Sequence, residues 1–405
     1  MNAQISFLEG TFTLIHIPLP LYTTFLQPIL RVLLPQTCSD NTTPAASKGL
    51  TADNQHVFLN VSVTPIECSI VCHKFWAETV FEPAIRRVLS TSFKNLPDIT
   101  ISKDSYAIFS VISAGMDAGS RVVDLTSPLA LAGVPIFFIT TYYSDFVLVP
   151  TNHRHRVVKT LLARGFVFAD DDNKTESYRP AGAHSRAGSQ ASNTNGSAGS
   201  PPPTPPPPSV GELQLRTFEL LTKRSVVPYV DGPLRLVSCS GREKAESSML
   251  ALRGYGNYAG RPEARRRDTH DGAIPRRAAW VDKADTKLYA GAVSALVAQP
   301  RFLSMTLTLE DPPSLLLDRA LLDLFGDSLV GPTEGTLVPI FLDLDTLPFE
   351  ATGIVSGVAG KLVQDMHMAE SAELSYLSTA RAGAVILSEE QAAKALVILK
   401  GALKG

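Results

Sequence analysis

The sequence predicts an α+β protein of four ferredoxin-like βαββαβ units arranged as two pairs. Two observations carry this reading. The order strand, loop, helix, strand, strand, helix can be read from the spacing of apolar residues once in each half of the chain, and a degenerate copy precedes each clear one. A polar, proline-rich segment at residues 170–212 separates the halves. The expected units span residues 1–95, 96–169, 213–329 and 330–405.

In the clear unit of the first half, residues 106–113 (YAIFSVIS) are β-branched and aromatic, as a strand requires. Residues 114–120 form a Gly/Asp-containing loop, and 121–132 show helical apolar spacing. Strands follow at 134–140 (VPIFFIT) and 146–149 (FVLV), then a helix at 152–164 and a short strand at 166–168. The second half repeats the order: strand 336–344, loop 345–352, helix 353–366, strands 372–379 and 384–387, helix 389–400 with Ser388 as N-cap. The first degenerate copy uses residues 7–17, 22–33, 56–63, 67–73 and a helix at 77–90. The other uses 214–221, the segment after Val230, 289–297, 302–309 and a helix at 313–324.

Three stretches lie outside this pattern. Residues 170–212 run from three aspartates through Ser, Gly, Asn and Ala to PPPTPPPP, too polar to offset chain entropy by burial. The proline tract reads as an extended spacer or as a docking site for a proline-recognition module. Residues 241–277 form a basic insertion, either a solvated loop or a contact for RNA or anionic lipid. A shorter low-complexity stretch lies near 38–55.

Composition excludes several classes. The 405 residues are 44% hydrophobic, enough for real cores. Lys plus Arg is 37 and Asp plus Glu is 39, so bulk charge does not direct the chain to nucleic acid or membrane. Four cysteines do not make a disulfide scaffold and fit a reducing compartment. Pro18, Pro20, Pro28 and Arg31 interrupt the one apolar stretch, 12–34, so no membrane span is expected. A cytoplasmic location is the expectation.

No HExxH, GxSxG or Walker A pattern occurs, and no metal-ligand set or cofactor fingerprint is complete. Cys68 and Cys72 on one strand read as small core hydrophobes, and His153 and His155 as solvated positions at a helix start. A non-catalytic protein without metal or cofactor is expected. The feature that stands out is Gly353 opening a helix, with Gly357 and Gly360 following. A helix N-terminus with unpaired N–H groups suits a small carboxylate. The same glycines also serve close packing against the sheet.

Residues 140–146 (TTYYSDF) with the following VLV resemble the Ser-Thr-Tyr-x-Thr-Asp-Phe-Ile-Leu-Val segment in the second ACT module of the CASTOR family. Those proteins are cytosolic arginine sensors upstream of the TOR kinase complex. Residues 347–355 (LPFEATGIV), with Ala359 and Gly360, resemble the start of that family's fourth module, and 377–379 (LST) its next strand. The same kind of module regulates aspartate kinases. The resemblance implies an amino acid held between units two and four. It places Pro135 and Ile136 on one side of the ligand. Thr352, Gly353, Ile354 and Val355 fall on the strand-to-helix loop, and Thr379, Ala380 and Gly383 on the following strand. It implies a protein partner, of the GATOR type in the TOR pathway, touched by Tyr142, Tyr143 and Asp145. A homodimer goes with this reading.

The sequence departs from the family at the positions that hold arginine. An acidic ligand-holding residue falls on Ala351, the guanidinium's aspartate on Gly383 and an aromatic wall on Ala380. A guanidinium buried without a carboxylate is strongly disfavoured. A neutral or acidic amino acid is expected instead, with Arg381 nearby. The alternative expectation is a scaffold that keeps the fold and binds no ligand.

Overall fold

The computed structural model describes residues 3–34, 57–90, 98–112, 120–169, 209–242, 286–309, 311–367 and 373–404. The low-complexity stretch, most of the proline-rich segment and nearly all of the basic insertion lie outside the described residues.

A short strand β1 (Gln4–Phe7) turns at Gly10, whose φ of 104° suits glycine, into the first unit. That unit is β2 (Phe12–Pro18), α1 (Tyr22–Leu33), β3 (Phe58–Val63), β4 (Glu67–His73), α2 (Glu82–Ser90) and β5 (Thr100–Ile101). The second is β6 (Tyr106–Ile112), α3 (Arg121–Leu131), β7 (Phe137–Thr140), β8 (Asp145–Pro150), α4 (Arg154–Leu162) and β9 (Val167–Phe168). Helix α5 (Val210–Lys223) precedes the third unit, and the Ser209 hydroxyl caps it by accepting from Glu212 N. The third unit is β10 (Leu236–Gly241), α6 (Thr286–Val297), β11 (Leu303–Thr308), β12 (Ser314–Asp318), a 3₁₀ turn (Arg319–Leu324) and β13 (Leu329–Val330). The fourth is β14 (Leu337–Asp343), α7 (Ile354–Met366), β15 (Ser375–Ser378), β16 (Ala382–Ser388) and α8 (Glu389–Ala402), capped by Ser388 as expected.

The units do not stand apart as separate sheets. Their strands join edge to edge into one closed, antiparallel barrel. The seam between units one and three is a full ladder, β3 against β11 from Val63↔Leu303 to Phe58↔Thr308. The other seams are single pairs: Leu236↔Leu337 (three to four), Leu377↔Ile139 (four to two) and Phe12↔Tyr106 (two to one).

Period-2 alternation sorts side chains to the two faces of this barrel. Phe12 and Leu14 of β2, Phe146 and Leu148 of β8, Phe302 before β11, and Phe341 of β14 fill the interior. The alternate residues face helices outside. Units two and four share one outer core with α3, α4, α5, α7 and α8. Units one and three share the other with α1 and α6. The pairs are therefore one with three and two with four.

Three expectations change. β1, taken as part of unit one, pairs with β6 and β9 of unit two. Residues 214–221, placed in unit three, lie in α5 and pack on units two and four. Residues 313–324, expected as a helix, are β12 and a 3₁₀ turn, because Leu315 and Leu317 point to a helix-covered core while the chain pairs with β10 and β11. Local periodicity sets an element's type but not the neighbour it packs on.

One turn recurs in all four units. Thr64, Thr141, Thr308 and Thr379 each accept, through the side-chain hydroxyl, the amide three residues on, at Glu67, Ser144, Asp311 and Ala382. These turns meet across the barrel. Ser144 donates to the Asp311 carboxylate at 2.8 Å, joining unit two to unit three. Thr379 donates to the Glu67 carboxylate at 2.5 Å, joining unit four to unit one.

Candidate ligand site between the second and fourth units

A cavity of about 60 Å³ lies at the seam of units two and four. Thr126 and Ala130 of α3, with Ile136 and Phe137 at the start of β7, form the unit-two wall. The unit-four wall comes from Leu344, Leu347, Pro348, Phe349 and Ala351 of the loop, and from Gly353 to Ser356 at the head of α7. Tyr376, Ser378, Thr379, Ala380 and Ala382 complete it. No charged side chain lines it.

The head of α7 is closely approached by α5: a Cβ on Gly353 would stand 2.6 Å from Leu213 Cδ1. Gly353 takes φ +86°, a left-handed conformation that favours glycine, and provides no side-chain cap. The amides of the first helical residues, Ile354, Val355 and Ser356, are those that no intrahelical carbonyl can satisfy. The helix dipole adds partial positive charge there. Ser356 and Ser127 share a hydroxyl hydrogen bond of 2.8 Å that ties α7 to α3. Ser378 accepts from Phe138 N at 3.0 Å, and Thr140 accepts from Tyr376 N at 3.0 Å, so the two units grip each other along the floor.

Of the residues the resemblance placed at a ligand, Ile136, Gly353, Ile354, Val355, Thr379 and Ala380 line this cavity. Pro135, Thr352 and Gly383 do not. Pro135 precedes Ile136 in the turn into β7. Gly383 lies beneath Tyr376: a Cβ there would stand 2.6 Å from the Tyr376 hydroxyl. Arg381 is not among the lining residues. It donates to Asp345 Oδ1 at 2.6 Å and lies over the Phe349 ring.

Gly357 and Gly360 have another use. A Cβ on Gly357 would meet Thr217 of α5 at 2.8 Å, and one on Gly360 would meet Gln214 Nε2 at 2.8 Å. These glycines let α5 lie close on α7; the expected packing partner was the sheet.

Of the three residues assigned to a partner surface, Tyr143 is exposed, Tyr142 is half-buried and Asp145 is 1% exposed. The Asp145 carboxylate forms an ion pair with Arg121 at 2.5 Å and belongs to the interior. Burial pushes its pKa up to about 6, against the opposing pull of Arg121. Strand register makes Asp145 the counterpart of Gly383, since Thr140 pairs with Asp145 as Ser378 pairs with Gly383. The position covered in unit four by the Tyr376 hydroxyl is thus held in unit two by the Asp145–Arg121 ion pair.

Sequence reasoning missed Tyr376 and Glu67. Tyr376 is fully buried, and its hydroxyl has no hydrogen-bond partner among the described residues. Burial pushes the phenol further toward its neutral form. Glu67 is fully buried and accepts from Thr379 and from Arg381 N, and its other oxygen lies 2.5 Å from His16 Nδ1. The recurring threonine, three residues before the turn's end, is the signal that could have found Glu67. Burial raises the Cys68 and Cys72 thiols, consistent with core roles. Among the described residues no group of three His, Cys, Asp or Glu could hold a metal, and no helix is long and apolar enough to cross a membrane.

Residues 101–163, from β5 through α4, match the family model of the ACT domain. The chain contains an ACT domain. Its α3 and the start of its β7 form the unit-two wall of the cavity. No curated protein matches the sequence. Among solved structures the chain is similar to protein Atu0741 from Agobacterium tumefaciens, at 17% identity over 42% of this chain and 93% of that one, with a TM-score of 0.26. Aspartate kinase from Synechocystis matches at 10% identity over 99% of this chain and 55% of that chain, with a TM-score of 0.30. The ligand-free regulatory subunit of aspartate kinase from Thermus thermophilus matches at 14% over 40% and 96%, with a TM-score of 0.26.

Proposed function

We propose that this protein is a non-catalytic, cytoplasmic regulator that binds a free amino acid between units two and four, each of the four units being an ACT module. The observation that carries the reading is the seam cavity. An ACT domain forms one wall, and the other presents a glycine-opened helix N-terminus. ACT domains typically bind amino acids in regulatory roles. The ligand carboxylate would meet the α7 amides.

Binding would reach the rest of the barrel through Thr379. That residue lines the cavity and donates to Glu67 of unit one. A ligand that favours one packing of this contact shifts the barrel by its differential affinity, typically about 1–3 kcal/mol. A protein partner reading that shift would use the face around exposed Tyr143. The resemblance at 140–146 and 347–355 makes a GATOR-type complex of TOR signalling the partner to test.

A thermal-shift scan against the twenty amino acids at millimolar concentration tests the reading. A ligand at 100 times its dissociation constant stabilises the fold by about 2.7 kcal/mol. A selective rise in melting temperature is expected. A cooperative melt that no amino acid moves contradicts it, and favours a ligand-free scaffold with its cavity closed.

A further inference from the structure

We infer that the ligand is a small amino acid with an uncharged side chain, and that the Tyr376 hydroxyl is the group that reads it. The inference rests on the amino-acid-binding reading and narrows it.

Size sets the first limit. At the roughly 30 Å³ each water takes in the liquid, a cavity of about 60 Å³ has room for about two waters. Such a space favours an amino acid no larger than alanine or serine, seated at the mouth where Pro348 and Phe349 are exposed. It does not accommodate the extended chain of arginine, lysine or glutamate.

Charge sets the second. The cavity wall carries no ionic side chain. On the adjoining turn, Arg381 donates to Asp345 and lies over Phe349. Glu67 is committed to His16, Thr379 and Arg381 N. A charged ligand side chain inside the cavity would find no counter-ion on its wall, an arrangement proteins avoid. A zwitterionic main chain differs, because the α7 amides offer its carboxylate a matched site.

Tyr376 sets the third. It is 1% exposed, lines the cavity, and keeps its hydroxyl without a partner among the described residues. A buried hydroxyl left unpaired is costly, and native structures rarely tolerate one without a use. A ligand polar atom would satisfy it. Gly383 holds the hydroxyl in place by having no Cβ, since one would stand 2.6 Å from it.

Calorimetric titration of the full-length protein with glycine, alanine, serine, threonine, arginine, lysine, aspartate and glutamate is the test. It is run on the wild type, on Tyr376→Phe and on Gly383→Ala. Tyr376→Phe removes only an unpaired hydroxyl, so it folds. Binding confined to the small neutral group and weakened about tenfold by Tyr376→Phe is the expected result. Gly383→Ala, which pushes the ring toward the cavity, should weaken it as well. Binding of a charged or long amino acid overturns the inference while leaving the amino-acid reading intact. So does small-ligand binding that Tyr376→Phe leaves unchanged. Binding of no amino acid overturns both.

Discussion

The Thr379 hydroxyl donates to the Glu67 carboxylate at 2.5 Å from the opposite side of the barrel. Arg381 N donates to the same oxygen, and Ser69 accepts from Ala380 N at 3.1 Å. The turn that borders the ligand cavity is therefore fixed to unit one by three hydrogen bonds. Glu67→Ala should destabilise the protein by about 3–5 kcal/mol, because it strands buried donors and His16. Glu67→Gln, which keeps the shape, should cost about 1–2 kcal/mol. Urea denaturation measures both, at unchanged m-value. A loss under about 0.5 kcal/mol for the alanine variant would show that this contact does not hold the halves together.

Gly357 and Gly360 look alike in the sequence but should respond differently to a methyl group. A Cβ at 357 meets the branched, buried Thr217. Gly357→Ala should therefore cost about 1–3 kcal/mol through overpacking. A Cβ at 360 meets the end of the flexible Gln214 side chain, which can swing aside. Gly360→Ala should be neutral or gain up to about 1 kcal/mol from helix propensity. Thermal melts of the two variants separate these outcomes. Equal losses would show that α5 does not dock on α7 as described.

Asp145 predicts a pH signature. Its carboxyl is raised to about 6 in the folded protein, chiefly by burial. A raised acid binds its proton more tightly in the folded than in the unfolded chain. Its stabilising contribution is full below the unfolded value near 4, is lost as pH rises to about 6, and is flat beyond. Relative to Asp145→Asn, the wild type should lose stability between pH 4 and 6, by roughly 2–3 kcal/mol. Denaturant midpoints across pH 4 to 8 give the difference curve. A curve with no slope in that window would remove Asp145 as the titrating group.

Much of the local structure was legible because amphipathic spacing is strong in units two and four. Helix 121–132 and strands 106–113 and 336–344 fall within a few residues of their observed bounds. Six of the nine ligand residues drawn from the resemblance line one cavity. The barrel was not legible. Three of its four seams are single residue pairs, too slight to leave a pattern. Asp145 was placed at a partner surface because the sequence does not show that Arg121 pairs with it in the interior. Tyr376 and Glu67 escaped notice because a lone tyrosine or glutamate in a strand carries no periodic signal. Only the strand register places each against the cavity or the opposite turn.

The most direct test of the central claim fills the cavity. Ala130 lies on α3 in the cavity wall and is 2% exposed. Ala130→Leu should occupy the space a ligand needs, at a cost of about 1–3 kcal/mol in stability. The measurement is calorimetric titration of wild type and Ala130→Leu with the amino acid that most stabilises the wild type. One molecule bound per wild-type chain, because Arg121 and Asp145 occupy the corresponding position in unit two, and none bound by the folded variant, is the predicted result. Equal binding by both proteins would contradict the assignment of the site.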